Sequence, residues 1–495
     1  MLSVGFDIGS SSVKGAVIDL ETGATLASNH YPREEMPIQS PHPGWAEQDP
    51  EQWWECVRQV TRTLLSGGRV VPENIGSIGL SYQMHGLVVT DRGGVPLRPA
   101  IIWCDSRAVD IGNRAFKTLG EEYCLTHCLN SPGNFTASKL RWVRENQPDI
   151  YSKIANVFLP GDYIAFRMTG EATTTVTGLS EGIFYDFRSS SLARRILEVY
   201  EIDDRLLPRV VPAIGLQGTL TASAAQSLGF RAGIPVSYRA GDQPNNAFSL
   251  NVLEPGEVAA TGGTSGVVYG VTDRTVSDPR SRVNLFAHVN YASARPRLGI
   301  LLCINGTGIL FSWLRKMFGA TSTYSELNAL AAKVPVGAEG ISILPFGNGA
   351  ERMLENRTPG GWIIGLDLVR HSHGHIVRAA QEGIAFSFRS GMAIMQSIGM
   401  STSVIRAGHA NLFLSPVFRE TLANVSGARI ELYDTDGAVG AARGAAVGTG
   451  GYATMQDAFR SLKQIAVVEP QKQLIEQTQE AYRRWEARLA LAVQS

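Results

Sequence analysis

The first thirty residues alternate between short apolar runs and small polar turns, a pattern typical of β-strands joined by tight connections. Apolar positions in LSVGFDI, VKGAVIDL and GATLASNHY predict three strands, separated by GSSS and ETG. A helical period follows, with Trp53, Val57 and Val60 on one face, and predicts a helix that begins near Pro50. The stretch IGSIGLSYQ then returns to a strand pattern. Strands that alternate with helices predict α/β architecture.

The plan of strand, glycine-rich turn and strand returns in GEVAATGGTSGVVYGVTD, at residues 256–273. Two such hairpins, one in each half, predict two related domains that face each other across a cleft. Turn-forming residues at 240–256 indicate the boundary. We therefore divide the chain into an N-terminal domain, residues 1–243, and a C-terminal domain, residues 244–495. A length of 495 residues, more than one hydrophobic core usually serves, agrees with this division.

Composition and charge restrict the compartment and the partners. Lysine plus arginine equals aspartate plus glutamate at 45 each, which gives no support to a nucleic-acid or acidic-membrane partner. No apolar run reaches the roughly 18 residues of a membrane span, and the start MLSVGFDIG lacks the features of a signal peptide. Five scattered cysteines in a long chain indicate reduced thiols. We expect a cytoplasmic protein.

The last segment, QLIEQTQEAYRRWEARLALAV, predicts a helix with Thr478, Tyr482 and Trp485 on one face. That face packs either on the body of the protein or on a partner subunit. A homodimer is therefore left open.

A tight glycine-rich turn directs several backbone N–H groups one way, which makes an anion site, and glycine lets phosphate approach closely. One such turn is weak evidence, because hairpins need glycine anyway, but two in opposite halves predict a polyphosphate held from both sides. Gly9, Ser10 and Ser11 are the candidates in the first turn. Asp7 suits this position if Mg²⁺ lies between it and the phosphates, usually through water. Lys14 would either point at the phosphates or be an exposed strand lysine.

The motifs FDIGSSSVK, GDQPNNA and GGTSG, in this order and spacing, resemble those of the FGGY family of carbohydrate kinases. Within the family the chain is most similar to xylulokinases, through YQMHG at 82–86 and IIWCDSR at 101–107. The resemblance covers roughly residues 2–450. It implies two ribonuclease H-like, actin-like ATPase domains that flank a deep catalytic cleft. It also implies ATP-dependent, Mg²⁺-assisted phosphorylation of a small sugar, a ketopentose, with D-xylulose as the favoured substrate.

A sugar kinase must remove a proton from a hydroxyl while the phosphoryl group is held in line, and a carboxylate is the expected general base. Asp242 follows the predicted strand GIPVSYRAGD at the domain boundary. On residues alone, Asp242 could merely begin a turn; the family resemblance assigns it the role of the base, near Mg²⁺ together with Asp7. Gln243, the next residue, is a candidate for holding a sugar hydroxyl.

Sugar recognition needs polar groups around an apolar floor. The resemblance implies that Met84 and His85 contact the ketose; the alternative for His85 is a histidine satisfied within a strand-end turn. Trp103 offers an aromatic face to the sugar, and Asp105 could accept from a hydroxyl. Pairing of Asp105 with Arg107 to fix the loop is an equally good alternative.

For the nucleotide, the second turn ATGGTSG predicts that Gly263 and Thr264 hold the outer phosphates. INGTG precedes the helical ILFSWLRKMF, so Gly308 would lie at a helix N-terminus near the nucleotide. RAGHANL occupies the place of the family's glycine-rich adenosine segment, and the resemblance implies that Gly408 and Ala410 contact adenosine.

Three features depart from the family pattern. Gln243 stands where xylulokinases have asparagine, His409 interrupts the adenosine segment, and the following loop NLFLSPVF is longer than usual. A smaller departure is Gln381, which replaces an aliphatic residue. They keep two alternatives open: a kinase for another pentulose or a polyol, such as ribulose or a glycerol-like substrate, and a non-catalytic sugar or nucleotide sensor of the same fold. An ATPase without a sugar is disfavoured by YQMHG and WCDSR.

Two other clusters resemble metal sites only superficially. HSHGH at 371–375 and CLTHC at 124–128 each lack a second ligand pair at zinc-motif spacing. We predict a solvated surface turn for the first. For the second we predict that Cys124 and Cys128 pack as small apolar groups.

Overall fold

Two large mixed β-sheets, one in each half of the chain, form the framework of the computed structural model, which describes residues 1–319 and 322–494. The strands are β1 Leu2–Ile8, β2 Val13–Asp19, β3 Thr25–Tyr31, β4 Glu47–Gln48, β5 Ile75–Tyr82, β6 Val88–Thr90, β7 Ala100–Ile101, β8 Asn156–Phe158, β9 Thr173–Thr175, β10 Tyr185–Asp186, β11 Ser191–Leu192, β12 Arg209–Val211, β13 Ile214–Thr219, β14 Pro235–Gly241, β15 Val258–Gly262, β16 Gly266–Thr272, β17 Asn284–Ala287, β18 Leu298–Ile304, β19 Ser342–Phe346, β20 Gly360–Ile364, β21 Val404–Gly408, β22 Arg429–Tyr433 and β23 Gln464–Val468. The helices are α1 Pro50–Ser66, α2 Val109–Leu119, α3 Glu121–Tyr123, α4 Thr136–Asn146, α5 Pro148–Tyr151, α6 Pro160–Thr169, α7 Val176–Glu181, α8 Arg194–Tyr200, α9 Ala222–Leu228, α10 Asp242–Ser249, α11 Gly308–Met317, α12 Tyr324–Ala332, α13 His373–Ser397, α14 Pro416–Ser426, α15 Gly437–Gly448 and α16 Lys472–Gln494.

The elements predicted from the apolar pattern are confirmed. The three N-terminal strands are β1 to β3, the helix from Pro50 is α1, and the second hairpin is β15 and β16. Trp53, Val57 and Val60 are buried on the inner face of α1, as their spacing predicts. The two-domain α/β fold expected from the sequence is likewise confirmed.

The first sheet has the strand order β13-β14-β5-β1-β2-β3. β1, β5 and β14 are parallel neighbours, so their carboxyl ends meet at one edge. Asp7 pairs in register with Ser81, and Ser81 with Ala240. Because Asp242 follows two residues after Ala240, the register alone brings it to the edge where Asp7 lies.

The second sheet has the strand order β17-β18-β16-β15-β21-β22-β23. β15 and β21 run parallel, with Ala260 opposite Ala407. The turn after β15 and the segment after β21 therefore leave the sheet at the same edge. These are the segments predicted to hold the phosphates and the adenosine.

One helix from the C-terminal half, α15, covers the first sheet. A Cβ atom on Gly5 would lie 2.0 Å from the Ala438 carbonyl oxygen, and one on Gly79 would lie 2.0 Å from that of Ala441. Only glycine permits this approach of helix backbone to strand backbone. Ser3 Oγ adds a hydrogen bond of 2.7 Å to the Ala442 carbonyl. α15 thus packs on the first sheet although it follows most strands of the second sheet in the chain.

The division placed between residues 243 and 244 falls inside α10, which links the two sheets and packs on α15. The last helix, α16, packs on the body of the protein: Thr478, Tyr482 and Trp485 are buried. Trp485 Nε1 donates a 2.9 Å hydrogen bond to the Ile343 carbonyl. Among residues 1–319 and 322–494, no helix is both long enough and apolar enough to span a membrane.

The cysteines at 124 and 128 are buried in an apolar cluster, as predicted. All five cysteines of the chain are free thiols. The solvated turn predicted for residues 371–375 is wrong, because α13 begins at His373. His371 and His375 are partly buried, and the exposed His373 stacks on the Phe318 ring at 4.4 Å.

Candidate active site

Two carboxylates lie together at the carboxyl edge of the first sheet. Asp242 is the first residue of α10 and is partly exposed. Burial, and next the charge of Asp7, raise the pKa of Asp242 to about 7, although hydrogen bonds from the Gln243 backbone and side chain oppose the shift. A carboxylate with a pKa in this range can take up a proton near neutral pH, as a general base must.

Asp7 is held from several sides. Ser81 Oγ donates a 2.7 Å hydrogen bond to Asp7 Oδ1, and Lys14 lies directly opposite on β2. Burial raises the pKa of Asp7, while the Lys14 charge and the Ser81 hydrogen bond lower it. Lys14 is exposed toward solvent. Lys14 is therefore an exposed strand lysine, as in one of the two alternatives, and its charge also acts on the Asp7 carboxylate.

The start of α15 closes over Asp7. A Cβ atom on Gly437 would lie 2.5 Å from Asp7 Oδ2, and Asn245 of α10 donates a 2.8 Å hydrogen bond to the Gly437 carbonyl. Asp436, the N-cap of α15, contributes a further negative charge that raises the pKa of Asp7. Asn245 lies within the motif GDQPNNA, but its bond to the start of α15 joins segments that are distant in sequence and is visible only in the fold.

The carboxylate pair fits a hard divalent cation, which takes oxygen ligands. No group of three or more His, Cys, Asp or Glu side chains arranged to hold a metal occurs within the part of the chain that the structure describes. A cation at Asp7 and Asp242 would therefore complete its shell with water and phosphate oxygens, as Mg²⁺ does in phosphoryl-transfer sites.

The first glycine-rich turn is closed by a 3.1 Å hydrogen bond from Gly9 N to the Ser12 carbonyl. Gln48 Nε2 donates to the Ser10 carbonyl at 2.7 Å, and Trp103 Nε1 donates to Ser10 Oγ at 3.3 Å. Trp103 is 46% exposed. It thus connects the predicted sugar loop to the predicted phosphate turn, and Ser11 at the tip stays exposed.

The second turn rests on the N-terminus of α11. Gly308 N donates to the Gly263 carbonyl at 3.0 Å, and Ile309 N donates to the Thr264 carbonyl at 3.1 Å. A Cβ atom on Gly308 would lie 2.2 Å from the Gly263 oxygen, so glycine is required there. The first two N–H groups of α11 are therefore used by the turn. Gly308 positions Gly263 and Thr264, whereas the sequence had suggested its own N–H as a ligand for the nucleotide.

The predicted adenosine segment lies beside this second turn. Gly408 ends β21, and His409 N donates to the Tyr433 carbonyl at 2.9 Å. The Asn411 side-chain nitrogen lies 3.8 Å from the position that a Cβ atom on Gly263 would take. Ala410 and His409 are exposed at this edge.

Gln381, which departs from the family pattern, is buried in α13. Its side chain accepts from Ser415 Oγ at 2.8 Å and donates to Asn328 Oδ1 at 2.7 Å. It therefore connects α12 to the cap of α14, a structural role.

His85 is held as a neutral ring. Its backbone has a φ of 61°, and its Nδ1 lies 3.0 Å from the Glu181 carbonyl oxygen. Because a carbonyl only accepts, Nδ1 carries the proton, and Nε2 is left as an acceptor. Burial, and next the Lys139 charge, lower the pKa of His85 to about 3. Phe135 and Phe286 pack against the ring at 4.8 and 5.2 Å, and Phe286 belongs to the second sheet.

A buried lysine, which sequence reasoning missed, holds together two of the segments predicted to bind the sugar. Lys139 Nζ donates to the His85 carbonyl at 2.8 Å and to the Ile102 carbonyl at 3.0 Å. The side chain is 0% exposed, and burial lowers its pKa to about 7. Lys139 therefore fixes YQMHG against IIWCDSR. The detectable signal was a lysine within the otherwise apolar face of FTASKLRWV.

Asp105 is fully buried and already paired. Its carboxylate accepts from Ala46 N at 2.6 Å and from Arg107 Nη2 at 2.6 Å. Arg107 also binds Glu47 at 2.7 Å. These bonds agree with the alternative in which Asp105 fixes the loop; a sugar hydroxyl would have to compete with them.

Met84 lies next to the residue before Asp242, because a Cβ atom on Gly241 would lie 2.6 Å from Met84 Cγ. Met84 is buried, whereas Gln243 is partly exposed. The fold thus brings Met84 and His85 to the same end of the sheet as Asp242 and Gln243. This edge of the first sheet therefore combines the carboxylates of Asp7 and Asp242 with the buried Met84 and the first glycine-rich turn.

Comparison with known proteins agrees with this geometry. Residues 2–249 match the N-terminal domain of the FGGY family of carbohydrate kinases, and residues 258–449 match its C-terminal domain. Xylulose kinase of Escherichia coli strain K12 is 30% identical over 448 residues, which cover 90% of this chain and 88% of that protein. L-xylulose/3-keto-L-gulonate kinase of the same strain is 30% identical over 469 residues, which cover 93% and 91%. The crystal structure of xylulose kinase from Rhodospirillum rubrum superposes with a TM-score of 0.86 at 28% identity and covers 99% of both chains.

Proposed function

Because this chain belongs to the FGGY family of carbohydrate kinases, we propose that it phosphorylates D-xylulose at the terminal hydroxyl to give D-xylulose 5-phosphate. Membership of the family makes it a phosphotransferase that binds a sugar and ATP. D-xylulose is supported by the similarity of this chain to two xylulose kinases, each of which aligns with it over most of its length. The Met84–His85 pair beside Asp242 supports the same choice.

The observation that carries the proposal is the partly open Asp242, with a pKa of about 7, at the edge shared with Asp7. Asp242 accepts the proton of the terminal hydroxyl. The hydroxyl oxygen forms the new bond to the γ-phosphorus of ATP, and the bond to the β–γ bridging oxygen breaks, with its electrons leaving on ADP. Atoms and charge balance: the proton stays on Asp242 until solvent removes it.

Asp7 and Asp242 are the residues that would hold Mg²⁺, through water, and the bound ion would offset the charge of the phosphates. The Gly9–Ser11 turn and the Gly263–Thr264 turn would hold the phosphates from opposite sheets. Lys14 adds a positive charge at the same edge, opposite Asp7. Together these groups fix the phosphoryl group in line with the hydroxyl.

For the sugar, His85 Nε2 offers an acceptor, Gln243 an amide and Met84 an apolar surface. Trp103 lies at the rim between sugar loop and phosphate turn. Similarity to L-xylulose/3-keto-L-gulonate kinase favours a second candidate, a kinase for another pentulose, at the same identity of 30%. The five free thiols fit the reducing cytoplasm, where we place the reaction.

The test is ADP release from Mg–ATP with D-xylulose, D-ribulose, L-xylulose, L-ribulose, glycerol and gluconate. Asp242→Ala is the inactive reference, and Asp203→Asn, an exposed aspartate paired with Arg205, is the matched control. Turnover with D-xylulose far above the sugar-free rate, lost in Asp242→Ala and kept in Asp203→Asn, supports the proposal. If another sugar gives the highest turnover, that sugar replaces D-xylulose as the proposed substrate and the kinase activity stands. If no sugar raises ADP release but one binds by calorimetry, the result would favour a sensor.

A further inference from the structure

A fully buried glutamate, Glu351, bonds the backbone segment that leads into α11. Glu351 lies between β19 and β20 and is 0% exposed. Its Oε1 and Oε2 accept from Asn305 N at 3.0 and 3.1 Å. The Asn305 side chain adds a second link, because its Nδ2 donates to the Ala350 carbonyl at 2.8 Å. The loop that carries Glu351 is therefore joined to the start of the segment INGTG.

No Lys, Arg or His side chain pairs with the Glu351 carboxylate among residues 1–319 and 322–494. Burial raises the pKa of Glu351 to about 7, and the groups that oppose this shift are the N–H groups of Asn305 and Gly306. The guanidinium of the next residue, Arg352, is bonded elsewhere: its Nη1 donates to Asn284 Oδ1 at 2.6 Å. A buried carboxylate is costly unless its oxygens are hydrogen-bonded. The bonds that offset this cost at Glu351 come from the backbone of INGTG.

The same segment supports the second turn. Thr307 is fully buried, and its Oγ1 donates to the carbonyls of Gly263 and Thr264 at 3.3 and 3.2 Å. These two carbonyls also accept from the first N–H groups of α11. The carbonyl groups of the turn are therefore fixed by residues 307–309, and a displacement of the preceding backbone would move the turn.

We propose that Glu351 is a positioning residue for the nucleotide: it fixes the backbone at residues 305–306 and, through Thr307, holds the second turn where it binds the outer phosphates of ATP. Glu351 acts through this segment and not by direct contact, since its carboxylate is closed off from solvent. Phosphate is bound most strongly by N–H groups that are already in place, because no further ordering has to accompany binding. The inference rests on the proposed function, in which the second turn holds phosphate.

The test compares two replacements of similar size. Glu351→Gln retains an acceptor for the Asn305 N–H, whereas Glu351→Met retains only the shape. Both are assayed for kcat, for KM of ATP at saturating sugar and for KM of the sugar at saturating ATP. Calorimetry with Mg²⁺ and a non-hydrolysable ATP analogue measures nucleotide binding without turnover. Glu198→Met, which replaces an exposed glutamate of α8, is the matched control.

We expect Glu351→Met to raise KM for ATP and the Kd of the analogue by about tenfold or more, because buried N–H groups lose their acceptor and the turn is no longer fixed. KM for the sugar should stay within about threefold of wild type, since the bonds of Glu351 go to the nucleotide side. Glu351→Gln should remain within about threefold of wild type in every quantity, and Glu198→Met should alter none of them. A lower Tm with unchanged KM for ATP, or equal losses for ATP and sugar, would overturn the proposal and leave Glu351 a structural residue.

If Glu351→Met does not fold, as judged by thermal melting, Glu351→Asp takes its place. Aspartate keeps the charge but shortens the side chain, which withdraws the carboxylate from Asn305, and the same KM and Kd values decide. Failure of the kinase proposal is distinguishable. If wild type phosphorylates none of the sugars but binds the ATP analogue, the kinase assignment is wrong, and the Kd of each variant still decides the role of Glu351. If wild type does not bind the analogue, both proposals are wrong.

Discussion

The charge of Asp7 raises the pKa of Asp242, although Asp7 lies on β1 and Asp242 follows β14, and β5 separates these two strands. The parallel register brings both to one edge. A general base benefits from a neighbouring negative charge, because the charge favours the protonated form. The same pair can share a divalent cation. The same two residues therefore raise the pKa of the base and provide the carboxylates of a proposed cation site.

Asp7→Asn should lower the pKa of Asp242, because it removes the Asp7 charge that raises it. We expect the acid limb of kcat/KM against pH to lie near 7 in wild type and to move to lower pH in the variant. The profile is measured between pH 5 and 8.5 at saturating Mg²⁺. An unmoved limb would contradict the coupling, and Asp203→Asn, on the exposed surface, should leave the limb in place.

Asp242→Asn should lower kcat by about 10²- to 10⁴-fold, the usual contribution of a positioned general base. Sugar affinity should change little, since Asn keeps the shape and the contact with Gln243. Steady-state kinetics gives the first quantity and calorimetry gives the second. A variant that retains more than a tenth of wild-type kcat would assign the base to another residue.

The same substitution should stabilise the metal-free protein above pH 7. Asp242 has a folded pKa of about 7, above its ordinary value of 3.8. Below the ordinary value both states are protonated. As pH rises toward 7 the unfolded chain releases a proton that the folded chain retains, so stability falls. If the whole pKa shift of Asp242 acted on the free energy of unfolding, the loss of stability above pH 7 would be about 4 kcal/mol. Because Asp242 is partly exposed, we expect a loss of about 1–2 kcal/mol.

Thermal melting with a chelator checks this expectation. The Tm of Asp242→Asn should exceed that of wild type at pH 8, and the difference should shrink as pH falls toward 4. A Tm below wild type at pH 8 would mean that the carboxylate is stabilised by contacts in the folded state.

Lys139→Met should weaken sugar binding more than the chemical step. The substitution leaves the buried carbonyls of His85 and Ile102 without their donor, at about 1–3 kcal/mol each. YQMHG and IIWCDSR then lose their connection, so KM for the sugar should rise about tenfold or more, with a lower Tm and a smaller change in kcat. Lys153→Met, on the exposed surface, should alter none of these. Unchanged KM with a lower Tm would limit Lys139 to a structural role.

Gly308→Ala should weaken nucleotide binding without touching the sugar. Its Cβ atom would collide with the Gly263 oxygen at 2.2 Å, which forces the second turn away from α11. The strain is on the order of 1–2 kcal/mol, about tenfold in KM for ATP. Gly67→Ala is the control, because nothing lies within 4 Å of its added methyl. An unaltered KM for ATP in Gly308→Ala would show that the turn does not hold phosphate.

The sequence was sufficient to predict an element or a site residue where the pattern lies within one short segment. Alternating apolar residues located β1 to β3, and the helical spacing of Trp53 located α1. Asp7 was found because it precedes a glycine-rich turn, and Asp242 because it follows a predicted strand and lies in the motif GDQPNNA. Lys139 was missed, because its bonds to the His85 and Ile102 carbonyls join segments that are distant in sequence.

The unresolved alternatives also reflect long-range contacts. From the sequence, Asp105 could bind either the sugar or Arg107, because its bond with Ala46 N joins segments that are distant in sequence. The N–H of Gly308 looked free for phosphate because its bond to Gly263 joins segments more than forty residues apart. Residues whose function depends on such pairings become visible only after folding.

The position of α15 has a consequence for biosynthesis. Domains generally fold as units during translation, the N-terminal one first. Here the backbones of Gly5 and Gly79 are covered by α15, which follows most of the second sheet in the chain. The nascent first sheet therefore leaves the ribosome with one face bare and stays incomplete until residue 448 has emerged. The carboxylate edge, which α15 closes at Gly437, is assembled in that final step, so a truncated chain contains Asp7 and Asp242 without the site.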